Sequence, residues 1–200
     1  MMRCFRIRVP ATFAAVVLAL VQPSCTKSVV GPIPQPAEEL ILDGSFERNG
    51  EPTLEGWRIT NPSVTTLVRD PAPGGGDWSL ALDADWAPTT GYVTMPILGV
   101  RDGDVLRLSA FVRAADAEGG GSIALVVGPS YGLQLDRAKW GHTSSASWTR
   151  LSVQDTVQLA PGDTVWVALS SFHTEIMRRQ GRFDLVSLRR IPIRALAVTE

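Results

Sequence analysis

From Leu40 onward the chain breaks into short apolar runs in which large hydrophobic residues return at every second position. In Leu151–Leu159 (LSVQDTVQL), Leu151, Val153, Val157 and Leu159 share one face, while Ser152, Gln154, Thr156 and Gln158 share the other. That is the period of a half-buried strand. After a turn at Pro161-Gly162-Asp163, the segment TVWVALSS keeps Val165, Val167 and Leu169 in step. Val105–Arg113 (VLRLSAFVR) turns Leu106, Leu108, Ala110 and Val112 inward. Phe111 and Trp166 have the opposite parity, which predicts an outer sheet face for both. Ser122–Val127 and Phe183–Ile191 read as further strands. No segment keeps a helical period over three turns, although Leu133–Trp140 has room for one or two. The runs Gly74–Gly76 and Gly119–Gly121 lack the Lys-Ser/Thr of a phosphate loop and read as plain loops. Many short strands without long helices predict an all-β domain, a sandwich or a barrel. Residues 40–191 are enough for such a domain to bury a core without staples.

The first forty residues have a different character. Arg3, Arg6 and Arg8 precede the apolar run Ala11–Val21, which is shorter than the roughly 20 residues of a membrane-spanning helix. The pattern is that of a secretory signal. Cys25 after Ser24 resembles the lipobox of bacterial lipoproteins, with Gln22 and Pro23 as departures from it. Of the two cysteines, Cys4 falls inside the signal, so Cys25 has no disulfide partner in the exported chain and lipidation accounts for it. The alternating Pro32, Pro34 and Pro36 predict an extended linker. The expected organisation is a signal peptide over 1–24, a linker over 25–39, a domain over 40–191 and a tail over 192–200. The expected place is the cell envelope or cell surface, with a lipid anchor as the only membrane attachment. Losing three arginines leaves 16 Lys and Arg against 20 Asp and Glu, a net charge of −4. No basic run or stripe is visible in the sequence, which argues against a nucleic-acid partner.

Several groupings resemble catalytic chemistry. Gly128-Pro129-Ser130-Tyr131-Gly132 fits G-x-S-x-G, with His142, His173, Asp155 and Asp163 downstream. A nucleophile elbow needs a strand–turn–helix in a parallel sheet, and the chain supplies no such helices, so the segment reads as a loop. Asp102-Gly103-Asp104 reads as a turn between strands, and the pair Asp83/Asp85 shows no acid–base geometry. With two histidines and no H-E-x-x-H, there is no zinc signature. What remains is six tryptophans. Trp57 reads as a core anchor. Trp86 and Trp140 sit among Gly, Ser and Asp, off any alternating apolar face, and are the candidates for stacking against sugar rings. Tyr92 and His142 are the secondary contacts.

Taken in order, the landmarks resemble the galactose-binding-like jelly-roll carbohydrate-binding modules attached to xylanases and glucanases. The opening "NGDFE…GW" of those modules is similar to LDGSFE at Leu42–Glu47 followed by Gly56-Trp57. Their "hsGsysl" hairpin resembles GGDWSLAL at Gly75–Leu82, and "pGdtytlSawVr" resembles RDGDVLRLSAFVR at Arg101–Arg113. "W-t-x-l" matches Trp148–Leu151, and the closing "fyvDdvsl" resembles RFDLVSL at Arg182–Leu188, with Leu185 replacing an acidic residue. The resemblance implies a jelly-roll β-sandwich that binds a glycan or glycosylated surface without catalysis. It also implies a structural calcium held by Glu47 and Asp184. Asp184 alternatively caps a strand or pairs with Arg182. Two other functions stay open: a structural or protein–protein interaction module of the envelope, and a serine hydrolase using Ser130.

Overall fold

The computed structural model describes residues 36–84, 92–115, 119–129, 137–173 and 179–192. The expected signal, Cys25, most of the linker, Trp86, Ser130 and nearly all of the tail lie outside them.

Two antiparallel sheets face each other. The six-stranded sheet runs β11 (Thr149–Thr156), β8 (Val105–Ala114), β13 (Arg179–Ile191), β6 (Ser79–Ala84) and β5 (Thr65–Val68), with the short β1 (Glu38–Glu39) also pairing with β13. The five-stranded sheet runs β10 (Lys139–Thr143), β9 (Gly119–Pro129), β12 (Asp163–His173), β7 (Tyr92–Ile97) and β4 (Arg58–Ile59). A small ribbon joins β2 (Glu47–Arg48) to β3 (Glu51–Pro52). This is the stacked-sheet jelly roll that the alternation predicts.

The inward positions form one core. Leu106, Leu108, Ala110 and Val112 of β8 meet Ile123, Leu125 and Val127 of β9 and Val165, Val167 and Leu169 of β12. Trp57 is 7% exposed, and its ring lies 5.6 Å from that of Phe46. It is the core anchor expected. Burial of a large aromatic supplies area that no other residue type matches. The Asp102-Gly103-Asp104 turn also forms: Gly103 takes φ +82°, and the Asp104 N–H donates to the Arg101 carbonyl at 3.1 Å.

Three expectations need correction. The alternation of Leu151–Leu159 outlasts its strand, because β11 ends at Thr156. Val157 still exchanges backbone bonds with Gly103 and Asp104, and the Leu159 N–H turns to the Asp102 carboxylate at 2.9 Å. Gly119–Gly121 is the start of β9 rather than a loop. A Cβ on Gly120 would lie 2.3 Å from Phe172 Cζ, and one on Gly121 would lie 2.5 Å from Val112 Cγ1. These glycines let strands pack where any side chain would clash. Finally, Lys139 and Trp140 belong to edge strand β10 rather than to a helical turn or a loop.

Candidate functional site

Cross-strand register decides which outward residues meet. Trp140 pairs with Ala124, Ala124 with Ala168, Ala168 with Thr94, and Thr94 with Arg58. The neighbouring row runs His142, Ser122, Ser170, Tyr92. Both rows lie on the outer face of the five-stranded sheet, opposite the core residues Ile123, Leu169 and Val93. Three of the four expected ligand residues, Trp140, His142 and Tyr92, therefore share one face although they come from strands far apart in sequence. Trp86 lies outside the described residues.

This face has a trough-like composition. Its middle carries small side chains, Ser122, Ala124, Ala168 and Ser170, all buried. Trp140 stands 38% exposed on the β10 edge, with His142 exposed beside it. The His142 ring meets Phe172 edge-on at 6.1 Å, an arrangement that ring quadrupoles favour. Tyr92 is half-buried three strands away, a spacing of roughly 14 Å. At the other end, Trp166 lies on the outer face as its parity predicts, but it is 5% exposed and clustered with Ala124, Val126 and Ala168. The Arg58 guanidinium stacks 5.0 Å above its ring. The Trp166 indole N–H is buried without a hydrogen-bond partner. Sequence reasoning found the parity of Trp166 but missed Arg58 and Phe172, whose only signal was their place in the same alternation.

Glu47 and Asp184 also come together, at the loop Ala72–Trp78. Asp184 is fully buried on the outer face of β13. Its Oδ2 accepts the Ala72 N–H at 2.8 Å and its Oδ1 accepts the Leu185 N–H at 2.7 Å. Arg182 pairs with Asp70 rather than with Asp184. Glu47 Oε2 accepts the Asp77 N–H at 2.6 Å and the Trp78 N–H at 3.2 Å. A Cβ on Gly75 would sit 2.4 Å from Asp184 Oδ2, and one on Gly76 would sit 1.6 Å from Glu47 Oε1. Only glycine lets this loop approach the two carboxylates so closely. Burial raises the Asp184 pKa to about 6; the two N–H donors lower it, and the Glu47 charge adds to the rise. Burial likewise raises Asp43, whose Oδ2 is buried without a partner.

The donor set suits a hard cation, which takes oxygen ligands and would relieve the charge crowding. Among the described residues, no three His, Cys, Asp or Glu side chains converge as a metal site. Glu47 and Asp184 would supply the carboxylates, although both Asp184 oxygens and Glu47 Oε2 already accept backbone N–H groups.

Of the G-x-S-x-G segment, Ser130, Tyr131 and Gly132 lie outside the described residues. β9, which carries Gly128 and Pro129, pairs antiparallel with both of its neighbours, whereas an elbow ends a strand of a parallel sheet. Two concavities of about 270 Å³ also occur among the described residues. One is bordered by Arg137, Lys139 and Asp155, the other by Glu38, Asp104 and Arg190. Arg137 is bonded to Asp163, and Arg190 to Glu38 and Asp104, so both are lined by groups already engaged.

No protein-family model matches the sequence, and no curated protein matches it. Solved structures do match the fold. The chain superimposes on a CBM61 module, solved with β-1,4-galactotriose, at a TM-score of 0.52 and 12% identity, covering 76% of this chain and 99% of that one. The fold is the jelly-roll β-sandwich of that module. The CBM22-1 xylan-binding domain of Paenibacillus barcinonensis Xyn10C matches at 0.54 and 16% identity, covering 79% and 97%. A family 16 carbohydrate-binding module matches at 0.55 and 15%, covering 74% and 98%. The jelly roll thus spans nearly the whole of each of these modules.

Proposed function

We propose that this domain binds a glycan, without catalysis, along the outer face of the five-stranded sheet. The observation that carries the reading is the register that places Trp140, His142 and Tyr92 on one outer face, with Trp140 and His142 exposed at its β10 edge. An exposed indole offers a flat apolar surface to the C–H face of a sugar. The His142 ring and Tyr92 hydroxyl offer hydrogen bonds to its hydroxyls. The galactotriose and xylan ligands of the matching modules support a saccharide in this role. Trp140→Ala should abolish retention on a responsive glycan array while leaving the melting temperature within a few degrees of the parent. Undiminished retention would refute the site.

We further propose that the domain is exported and tethered through lipidated Cys25. The basic, apolar and small-residue order of the N-terminus supports this. A Cys25→Ser variant should move from the membrane to the soluble fraction. Unchanged partition, with no acyl mass on the native protein, would remove the anchor.

Calcium at Glu47 and Asp184 completes the proposal. Its part would be structural: it would tie the loop before β6 to the closing strand by neutralising the buried Asp184 and the half-buried Glu47.

A further inference from the structure

The opposite outer face, on the six-stranded sheet, has a different chemistry. Register sets Arg107 beside Arg189 and Arg113 beside Arg182, with Arg150 beside Phe111 between them. The sequence shows no basic stripe, yet folding gathers these five arginines on one face. Arg107, Arg150 and Arg189 are exposed.

Their counter-charges are few. Arg113 and Arg182 share a single carboxylate oxygen of Asp70. Like charges directly opposite on a sheet repel, so one carboxylate holds two guanidiniums. Arg189 meets Glu39 at 3.2 Å. Among the described residues, Arg107 and Arg150 meet only the neutral Gln154 and Ser109. Asp83 accepts from Gln180 and keeps its charge near Arg182, while Asp184 lies buried beneath the glycine loop, so Asp70, Glu39 and Asp83 face five arginines. A chain of net charge −1 thus carries one face with a cationic surplus.

We infer that this arginine face is a second binding surface, for an extended acidic polysaccharide bearing carboxylates. Charge complementarity selects an anion, and the guanidinium fork matches a carboxylate. The six steps from Arg107 to Arg113 spread the cations over roughly 20 Å, which suits a polymer better than a small ion. A row of hydroxyls, Ser152, Ser109 and Ser187, crosses the face between the arginine rows. Ser109 is buried under Arg150 and Ser187 donates to Glu39, so the exposed Ser152 is the hydroxyl of this row that can answer a sugar hydroxyl. A lipid surface fits less well: the exposed large apolar side chains among the described residues are Leu42, Ile59, Leu98 and Trp140, none of them on this face. A nucleic acid fits less well too, because its bases would need exposed rings. Here Trp148 and Phe111 are half-buried, and Arg113 covers Trp148 at 5.5 Å.

The inference is independent of the trough on the other sheet, and the test separates them. The purified full-length protein would be titrated at low salt with polygalacturonate, a neutral galactan, a single-stranded DNA oligonucleotide and vesicles containing phosphatidylglycerol. Polygalacturonate should bind, weaken with added sodium chloride, and lose affinity on the order of tenfold in the triple variant Arg107→Gln, Arg150→Gln, Arg189→Gln. That variant should keep its melting temperature, since the three side chains are exposed. The single variant Arg150→Gln, at a site with no carboxylate partner, should show a smaller loss in the same direction. Trp140→Ala should bind polygalacturonate as the parent does. The inference is overturned by any of three results: no binding of polygalacturonate at low salt, equal binding by the triple variant, or equal or tighter binding of the DNA or the vesicles.

Discussion

Gly121→Ala adds one methyl group at a point where the two sheets nearly touch. The new Cβ would lie 2.5 Å from Val112 Cγ1 and 2.8 Å from Phe183 Cζ. Carbon pairs prefer 3.5–4.0 Å, so the methyl must gain about 1 Å from each. Neither neighbour can yield easily, because Val112 and Phe183 are fully buried and register-paired on adjacent strands. Overpacking of this kind costs about 1–3 kcal/mol, and a clamp from two sides places this case at the upper end. Restricting the unfolded chain returns about 0.4–1 kcal/mol, leaving a net loss of about 2 kcal/mol. In urea, with a slope of about 2 kcal/mol/M, the midpoint should fall by roughly 1 M.

A second substitution tests the cause. Val112→Ala removes the Cγ1 that the new methyl strikes, while costing stability of its own through the cavity it leaves. The double variant should therefore be more stable than the sum of the two losses predicts, with a coupling energy of about 0.5–3 kcal/mol. An unchanged midpoint for Gly121→Ala, or strictly additive losses, would show that β9 is not pressed against Val112. The inward facing of Gly121, and with it the outward facing of Ser122 and Ala124 in the trough, would then be wrong.

Two further outcomes concern the candidate cation site and the two tryptophans. If calcium binds Glu47 and Asp184, melting in excess EDTA and then in millimolar calcium should give different midpoints, with a gain of roughly 2.7 kcal/mol at a hundredfold excess over Kd; identical midpoints, or an Asp184→Asn variant that responds fully, would remove the site. Trp57→Ala should cost about 3–5 kcal/mol in chemical denaturation, several times the loss for the rim residue Trp140, and comparable losses would mean that the indole of Trp140 is structural.

The strands were legible where side chains report their own alternation, as in Val105–Arg113 and Thr164–Ser171. Gly119–Gly121 was not, because a residue without a side chain carries no alternation, and its reason for being glycine sits on other strands, at Phe172, Val112 and Phe183. Trp140 reads in the sequence as a loop residue, with Gly, Ser and Asp around it and His142 two positions on. The period-two signal was nevertheless present, with Gly141 between them pointing at Val153 and Ile123. Their meeting with Tyr92 rests on three successive pairings between strands distant in sequence, and no local pattern encodes that.

The arginine face was hidden for a sharper reason. Arg182 and Arg189 are seven residues apart, so a regular strand would turn them to opposite faces. In β13, the register steps from Asp184 opposite Phe111 to Ser187 opposite Ser109. Three residues there answer two on β8, which is a bulge, and Leu185 within it takes φ +49°. The extra residue reverses the parity of everything after it, bringing Arg189 to the same side as Arg182 and Leu188 back to the core. It also fits Val186 against Gly44, where a Cβ would lie 1.7 Å from the Val186 carbonyl oxygen. One irregularity in the closing strand thus joins the pattern of the core to that of the cationic face. Any substitution that straightened it would bury Arg189 or expel Leu188, and either outcome is too costly for a strand paired on both sides.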